Sequence, residues 1–133
     1  MTIEARLDAV GVVVADMAKA LGFYRALGLP VPAEADNQPH VEVALPGGLR
    51  LLFDTEETVR SFHPEWHAVP GAGRLGLAFA LPDAGAVDAL YAELADAGYR
   101  SEMAPFDAFW GQRYAVMLDP DGNGVDLFAP LAS

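Results

Sequence analysis

The sequence contains no cysteine, a single lysine and no long apolar run. Without cysteine the chain has no disulfide, no thiolate nucleophile and no Cys-ligated zinc, so oxygen and imidazole groups are its remaining metal ligands. No apolar stretch approaches the roughly 20 residues of a membrane-spanning helix. The first residues, MTIEARLDAV, also lack the basic and apolar regions of a signal peptide. We therefore expect a soluble, cytoplasmic protein with no membrane partner.

Basic residues are scarce: 8 lysines and arginines face 19 acidic residues, for a formal charge of -11. Such a charge opposes binding to nucleic acids and to anionic membranes, and it attracts cationic ligands. The alternative is that the acidic surface serves solubility alone. With 133 residues, of which 53% are hydrophobic, the chain is long enough for one domain with a sizeable core.

Residues 9–27 and 76–94 read as two copies of one strand-turn-helix unit. With Ala9 aligned on Gly76 and no gap, apolar residues of one strand face recur, and Asp16 matches Asp83 as a helix N-cap. The other strand face carries small residues in both copies. The two faces therefore have different roles, one packing against a helix and the other left open.

The remaining segments predict a second repeat of the same order. Strands are expected at 6–14, 40–45, 49–54, 74–81, 99–106, 112–118 and 124–130, and helices at 17–28 and 83–98. Residues 55–73 show no sustained period and predict an irregular connection, long enough for a binding loop or an exchange between subunits. The chain divides into a first module at 5–58, a connecting loop at 59–73 and a second module at 74–130, within one domain at 1–133.

The phrases LDAVGVVVADMAKALGFYRALGL and FWGQRYAVMLDPDGNGVDLF resemble the vicinal oxygen chelate superfamily. This superfamily includes glyoxalase I, extradiol dioxygenases, fosfomycin-inactivating enzymes and bleomycin-resistance proteins. The resemblance implies an α+β fold of two βαβββ modules, with curled sheets around a cleft and helices on the outer side. It also implies a homodimer, since many members build the cleft from two chains. One scaffold serves several chemistries here, so the resemblance leaves the reaction open.

Enzymes of the superfamily hold a divalent metal with a His in the first strand of a module and a Glu in the last. By the resemblance these His positions fall on Ala9 and Gly76, and the Glu position falls on Asp126, with Asp54 as the nearest acid in the first module. Neither Ala9 nor Gly76 can bind a metal, and a catalytic site needs about three protein ligands. We therefore expect no metal, no cofactor and no catalytic residue, and a cleft enlarged by small side chains.

The three histidines lie elsewhere. His63 and His67 have an i,i+4 spacing that on a helix could bind zinc, but Pro64 and the loop setting favour a surface loop. His40 begins a strand, where it is expected to face solvent. The phrase DPDGNG at 119–124 imitates the start of a calcium loop, but strands flank it, so it predicts a β-turn.

Aromatic residues in two irregular places are candidates for ligand stacking, with a dimer interface and the core as alternatives. Charged residues on or next to the cleft strands could meet a cationic ligand, with structural salt bridges as the alternative. Tyr114 alternates with Arg113 and is expected on the other face. The candidate ligand-binding residues are Trp66, Phe106, Phe109, Trp110, Asp54, Glu102, Asp107, Asp126, Arg113, Ala9 and Gly76.

Three functions remain open from the sequence. The favoured one is a non-catalytic protein that sequesters a bulky natural product, aromatic or peptide-derived, whose planar group can carry a positive charge. The second is a lyase, isomerase or dioxygenase, with an atypical metal site or with Asp126 as a metal-free general base. The third is an accessory or regulatory module that binds a metabolite or another protein.

Overall fold

The computed structural model describes residues 3–69 and 75–132 and divides the chain into two compact units, Met1–Ala68 and Val69–Ser133. Both units combine a sheet with helices, which confirms the predicted α+β class. Part of the predicted connection, residues 70–73, and the start of the second module at Arg74 lie outside the described residues. None of the helices in the described ranges is long and apolar enough to span a membrane.

The first unit has a three-stranded sheet and two α-helices among its described residues. In chain order they are β1 (Ala9–Val14), α1 (Met17–Ala26), β2 (His40–Ala44), β3 (Arg50–Thr55) and α2 (Glu56–Phe62), with short 3-10 helices at Ala33–Asn37 and Pro46–Gly48. The sheet order is β1-β3-β2, with β1 parallel and β2 antiparallel to β3. The predicted hairpin of β2 and β3 is confirmed, and β1 begins three residues later than predicted.

Strand alternation separates a buried face of the first sheet from an exposed one. Val14, Val41, Val43, Leu51 and Phe53 are buried, and the Phe53 ring lies 5.1 Å from that of Tyr24 in α1. The opposite face carries the alternate residues of the same strands. The sheet thus packs against α1 on one side and leaves small and charged side chains on the other.

Helix α2 occupies part of the segment that the sequence predicted as irregular, and this prediction was wrong. Thr55 caps the helix by accepting a hydrogen bond from the Thr58 amide at 3.2 Å. Val59 is the buried residue of this seven-residue helix. One buried position gives no apolar period, so the sequence pattern did not indicate the helix, although Thr55 is a residue type that commonly caps helices.

The second unit shows the full βαβββ order that the resemblance implies. Its elements are β4 (Gly76–Ala80), α3 (Ala84–Asp96), β5 (Ser101–Ala108), β6 (Gln112–Leu118) and β7 (Gly124–Pro130). The sheet order is β4-β7-β6-β5, with β4 parallel to β7 and the other pairs antiparallel. The first unit has three of the four expected strands within the residues that the structure describes.

The duplicated N-caps are confirmed at both helices. Asp16 accepts a hydrogen bond from the Lys19 amide at 3.0 Å, and Asp83 accepts one from the Ala86 amide at 2.8 Å. Each carboxylate satisfies an amide that has no partner within its helix. The repeat seen in the sequence is therefore a repeat of the same local hydrogen-bond geometry.

A buried carboxylate organises the turn between β6 and β7. Asp119 is 3% exposed and accepts hydrogen bonds from the amides of Asp121 and Asn123, and from the Asn123 side-chain amide, at 2.8–2.9 Å. Gly122 has φ +89°, a conformation that suits glycine. The DPDGN phrase is therefore a carboxylate-centred β-turn, as the sequence predicted.

Candidate functional site

The most developed candidate site lies on one face of the second sheet. Helix α3 contacts the face that carries the buried residues Ala115, Met117, Val125, Leu127 and Ala129. We call the other side, which α3 does not cover, the helix-free face. Strand register places three rows across it: Gly76, Gly124 and Leu118; then Ala78, Asp126, Val116 and Met103; then Ala80, Phe128, Tyr114 and Phe106. Small residues on β4 thus lie beside a carboxylate, and aromatic rings lie next to it.

Four aromatic side chains near this face form a cluster, defined here as Phe106, Phe109, Trp110 and Tyr114. Trp110 lies edge-to-face with the other three rings at centroid distances of 6.4, 5.0 and 5.3 Å, respectively. Its indole N–H donates to Gln112 Oε1 at 2.8 Å. Trp110 is 48% exposed and Phe109 is 97% exposed. The cluster therefore presents apolar ring surface to solvent, as a stacking site requires.

Tyr114 joins the aromatic cluster to Asp126. Its hydroxyl donates to Asp126 Oδ2, and burial, followed by this hydrogen bond and the carboxylate charge, raises the pKa of Tyr114 to about 12. The phenol therefore stays protonated at neutral pH. Sequence reasoning left Tyr114 without a role, although its alternation with the buried residues Ala115 and Met117 was a usable signal.

Asp107 and Arg113 do not share the face of Asp126, although all three residues were expected at the cleft from the sequence. The Arg113 guanidinium donates to Asp88 of α3 at 2.9 Å and to Asp107 at 3.0 Å. The directly paired residues Asp107 and Arg113 thus lie on the side of the sheet that α3 covers. Both residues form a structural salt bridge, which was the alternative to ligand binding. The carboxylates of Asp88 and Asp107 raise the pKa of Arg113.

Two further predicted residues lie on the second unit without joining the cluster. Glu102 is exposed at the first of two register shifts in β5. Gly76 is exposed on the edge strand β4, where it pairs with Gly124. A Cβ added at Gly76 would meet Gly124 O at 3.5 Å, an ordinary contact, so the backbone does not require glycine there.

The exposed face of the first sheet carries a chain of charges. His40 Nδ1 lies 2.5 Å from Asp54 Oδ1, and His40 Nε2 lies 2.9 Å from Glu42 Oε2. Arg50 donates to Glu42 and to Asp8 Oδ2, in the latter case at 2.5 Å. The pKa of His40 is raised, first by the hydrogen bond to Glu42 and then by that to Asp54. Asp54 therefore pairs with a histidine of its own unit, a contact that depends on strand register and that no sequence pattern indicated.

Ala9 lies on the same face of the first sheet, paired with Arg50 across β1 and β3. Gly11, two residues further, is exposed, and a Cβ added there would meet no atom within 4 Å. The expected row of small residues is thus present on β1. It borders the charged network of His40 and Arg50 rather than an aromatic cluster within this unit.

Trp66 follows α2, and its ring lies 5.7 Å from the Arg60 guanidinium carbon. This cation–π contact gives the indole a partner within the first unit. His63 and His67 lie beyond the end of α2 and are exposed, so their spacing does not place them on one helical turn. The surface-loop expectation for this segment agrees with that geometry.

A cleft of about 540 Å³ lies in the first unit and was not predicted. It is lined by the starts of α1 and α2 and by the end of the first 3-10 helix, and includes Asp16, Asp36, Glu57 and Arg60. Asp16 already caps α1, and Asp36 accepts a hydrogen bond from Arg25 at 2.5 Å. These carboxylates therefore serve the fold.

The donors on these two sheets do not fit the divalent metal that the resemblance implies. Ala9 and Gly76 carry no ligating atom, Tyr114 occupies one oxygen of Asp126, and His40 occupies one oxygen of Asp54. Asp126 pairs across the strands with Ala78, which also lacks a donor. Within residues 3–69 and 75–132, no group of three or more His, Asp or Glu side chains is arranged to hold a metal.

Comparisons with solved structures support the fold. A glyoxalase/bleomycin resistance protein/dioxygenase family enzyme from Burkholderia phytofirmans PsJN is 22% identical, with a TM-score of 0.81 over 96% of this chain and 100% of that chain. A glyoxalase/bleomycin resistance protein/dioxygenase from Nocardioides is 20% identical, with a TM-score of 0.75 over 100% and 88%. A superfamily member from Sphaerobacter thermophilus DSM 20745 is 25% identical, with a TM-score of 0.65 over 95% and 98%.

No curated protein matched the chain. The sequence model of the Glyoxalase/Bleomycin resistance protein/Dioxygenase superfamily matches residues 6–127, which include both sheets almost in full. Together with the βαβββ unit and the carboxylate-centred DPDGN turn, this match is decisive: the chain belongs to the glyoxalase/bleomycin resistance protein/dioxygenase superfamily.

Proposed function

We propose that the protein is a non-catalytic, cytoplasmic, homodimeric binding protein of the bleomycin-resistance type. It sequesters a bulky natural product, aromatic or peptide-derived, whose planar group stacks on the aromatic cluster beside Asp126. The observation that carries this proposal is the half-exposed Trp110, which is held by Gln112 and by three rings while its surface remains available. Binding sites for small molecules combine such apolar surface with a few placed polar groups.

The side chains on the open faces of the two sheets favour binding over catalysis. Metal-dependent members of the superfamily use imidazole and carboxylate ligands, whereas Ala9 and Gly76 supply none. A metal-free general base at Asp126 would have to take a proton while one of its oxygens accepts the Tyr114 hydroxyl. Lyase, isomerase and dioxygenase functions are compatible with superfamily membership and are the alternatives for the experiments to reject.

Trp110→Ala tests the stacking site directly. A thermal-shift screen of planar aromatic compounds, antibiotics included, first supplies a ligand, because a ligand at 100 times its Kd adds about 2.7 kcal/mol to stability. Trp110→Ala should then weaken binding by about 1–3 kcal/mol, the scale of aromatic stacking on bases. The melting temperature of the free protein should change little, whereas a core tryptophan would cost about 3–5 kcal/mol.

Phe62→Ala is the matched control, since Phe62 is an exposed aromatic residue of the first unit that belongs to neither sheet. It should leave ligand affinity unchanged. Trp66→Ala, measured in parallel, tests the expectation that Trp66 also contacts the ligand. Loss of stability in Trp110→Ala without ligand, at every protein concentration, would contradict the stacking proposal.

Metal analysis separates binding from metal-dependent catalysis. The protein is purified from medium supplemented with zinc, iron or manganese and is analysed by elemental emission spectroscopy. We expect less than stoichiometric metal, because the two sheets offer no adequate ligand set. One tightly bound metal per chain, retained through dialysis, would reject the proposed function in favour of an enzyme.

A further inference from the structure

Tyr114 makes contacts of two different kinds with the proposed binding site. Its ring lies edge-to-face with Phe106 at 5.9 Å and with Trp110 at 5.3 Å. Its hydroxyl donates to Asp126 Oδ2 from the neighbouring strand. One side chain therefore fixes the carboxylate relative to the stacking surface.

This arrangement leaves Asp126 with one oriented acceptor. Oδ2 is occupied by Tyr114, and no side chain in the described parts of the chain donates to Oδ1. The direct cross-strand neighbours of Asp126 are Ala78 and Val116, which carry no polar side-chain atom. Asp126 is also partly accessible to solvent. A ligand lying against the aromatic cluster would thus find Oδ1 of this carboxylate held in a fixed direction by the bond to Oδ2.

We propose that the Tyr114–Asp126 pair selects ligands that carry a protonated nitrogen with an N–H group on or beside a planar ring, with Tyr114 as the positioning residue. This inference rests on the proposed binding function and specifies its ligand class. An N–H cation forms a charge-assisted hydrogen bond with the free oxygen. A quaternary cation of the same ring gains the attraction of the charge but not the hydrogen bond, and an anionic ring is repelled.

Two acridine probes separate these cases. The 9-aminoacridine cation carries N–H groups, whereas 10-methylacridinium has a similar ring and charge but no N–H. Fluorescence titrations would compare both probes on the wild-type protein and on Tyr114→Phe, Asp126→Asn and Trp110→Ala. We expect the wild type to bind 9-aminoacridine about 10- to 100-fold more tightly, the range for one hydrogen bond to a charged group.

The variants should lose different parts of this recognition. Tyr114→Phe keeps the ring but frees Asp126 to rotate, so it should reduce the preference for 9-aminoacridine several-fold and leave 10-methylacridinium affinity nearly unchanged. Asp126→Asn should abolish the preference. Trp110→Ala should weaken both probes alike, because it removes the shared stacking surface. Circular dichroism of Tyr114→Phe should match the wild type.

The outcomes distinguish the two proposals. Equal affinity of the wild type for both probes, with weakening by Trp110→Ala, would overturn the N–H selection and leave the stacking site intact. An unchanged preference in folded Tyr114→Phe would overturn the positioning role of Tyr114. Absence of saturable binding of either probe would remove this inference, and failure of the aromatic screen in addition would remove the binding function itself.

Discussion

His40 is held between two carboxylates on the first sheet, and this local charge balance makes stability depend on pH. Asp54 contacts one ring nitrogen and Glu42 the other, so the doubly protonated ring satisfies both. The pKa of His40 is raised above its ordinary value of 6.5, chiefly by Glu42. The pKa of Glu42 is lowered below its ordinary value of 4.5, chiefly by His40. The pair is therefore strongest between these two values.

The sign of each shift fixes the pH window. A raised histidine pKa contributes stability that is fully present below pH 6.5 and is lost as the pH rises through the folded-state pKa. A lowered carboxyl pKa contributes stability that is present above pH 4.5 and is lost as the pH falls through its folded value. We predict that His40→Gln destabilises the protein more at pH 5.5 than at pH 8.5.

Urea unfolding of wild type and His40→Gln at both pH values checks this prediction. The difference should be small, because the groups are exposed and screened by solvent. His63→Gln, which makes the same substitution at an exposed histidine after α2, is measured in parallel as the control for the chemical change itself. A larger effect of His40→Gln at pH 8.5 than at pH 5.5 would contradict the assignment.

At the scale of elements, the repeated strand-turn-helix unit makes the two helix caps comparable. Asp16 and Asp83 each accept one amide hydrogen bond three residues ahead. We predict that Asp16→Ala and Asp83→Ala each lower the free energy of unfolding by about 0.5–2 kcal/mol. Thermal and urea unfolding measure the loss, and Asp16→Asn and Asp83→Asn should retain most of the stability. Equal stability of the Ala and Asn variants would show that the caps contribute nothing.

The elements differ in how far the sequence could predict them. Strands β6 and β7 match their predicted bounds, because each alternates through seven residues and a strong turn separates them. Helix α2 was missed, since a single buried residue, Val59, leaves no period to detect. Periodicity reports burial, and short elements bury too little to be seen.

The residues of the candidate site were only partly predictable, because residue type alone does not show on which face of a sheet a side chain lies. Trp110 and Asp126 were proposed from their setting and lie at the helix-free face or in the cluster beside it, whereas Arg113, proposed because of its charge, lies on the other side of the sheet. The buried Ala115 and Met117 share its parity and place it on the side of α3. Side-chain partners such as His40 with Asp54 depend on strand register, which a sequence pattern leaves open.

At the scale of the whole molecule, the charge of -11 bears on self-association. The homodimer remains a proposal, supported by edge strands in both sheets and by exposed apolar side chains such as Phe109. Two copies with this charge repel each other, and salt weakens the repulsion. We predict that the dimer fraction at micromolar concentration rises as salt increases from about 10 mM to about 150 mM, where the Debye length falls from about 30 Å to about 8 Å.

Sedimentation equilibrium at several protein concentrations measures this fraction. Changing Arg25 would also remove its hydrogen bonds to Val31 O and Asp36 within the first unit. Lys19→Glu is therefore the better test of charge. Lys19→Glu makes each copy more acidic and should shift the equilibrium towards monomer at low salt. A monomer at all salt concentrations would reject the homodimer.

The carboxylate-centred turn at Asp119 also limits which changes in chain length the family scaffold can accept at this point. Leu118 and Gly124 pair directly across the turn, so its five intervening residues set the register of β7 against β6. Inserting or deleting one residue there would exchange the faces of β7, sending Asp126 towards α3 and Val125 towards the ligand side. The length of the DPDGN turn therefore determines which face of the sheet each residue of β7 occupies. The register of β7 against β6 therefore constrains the number of residues in this turn.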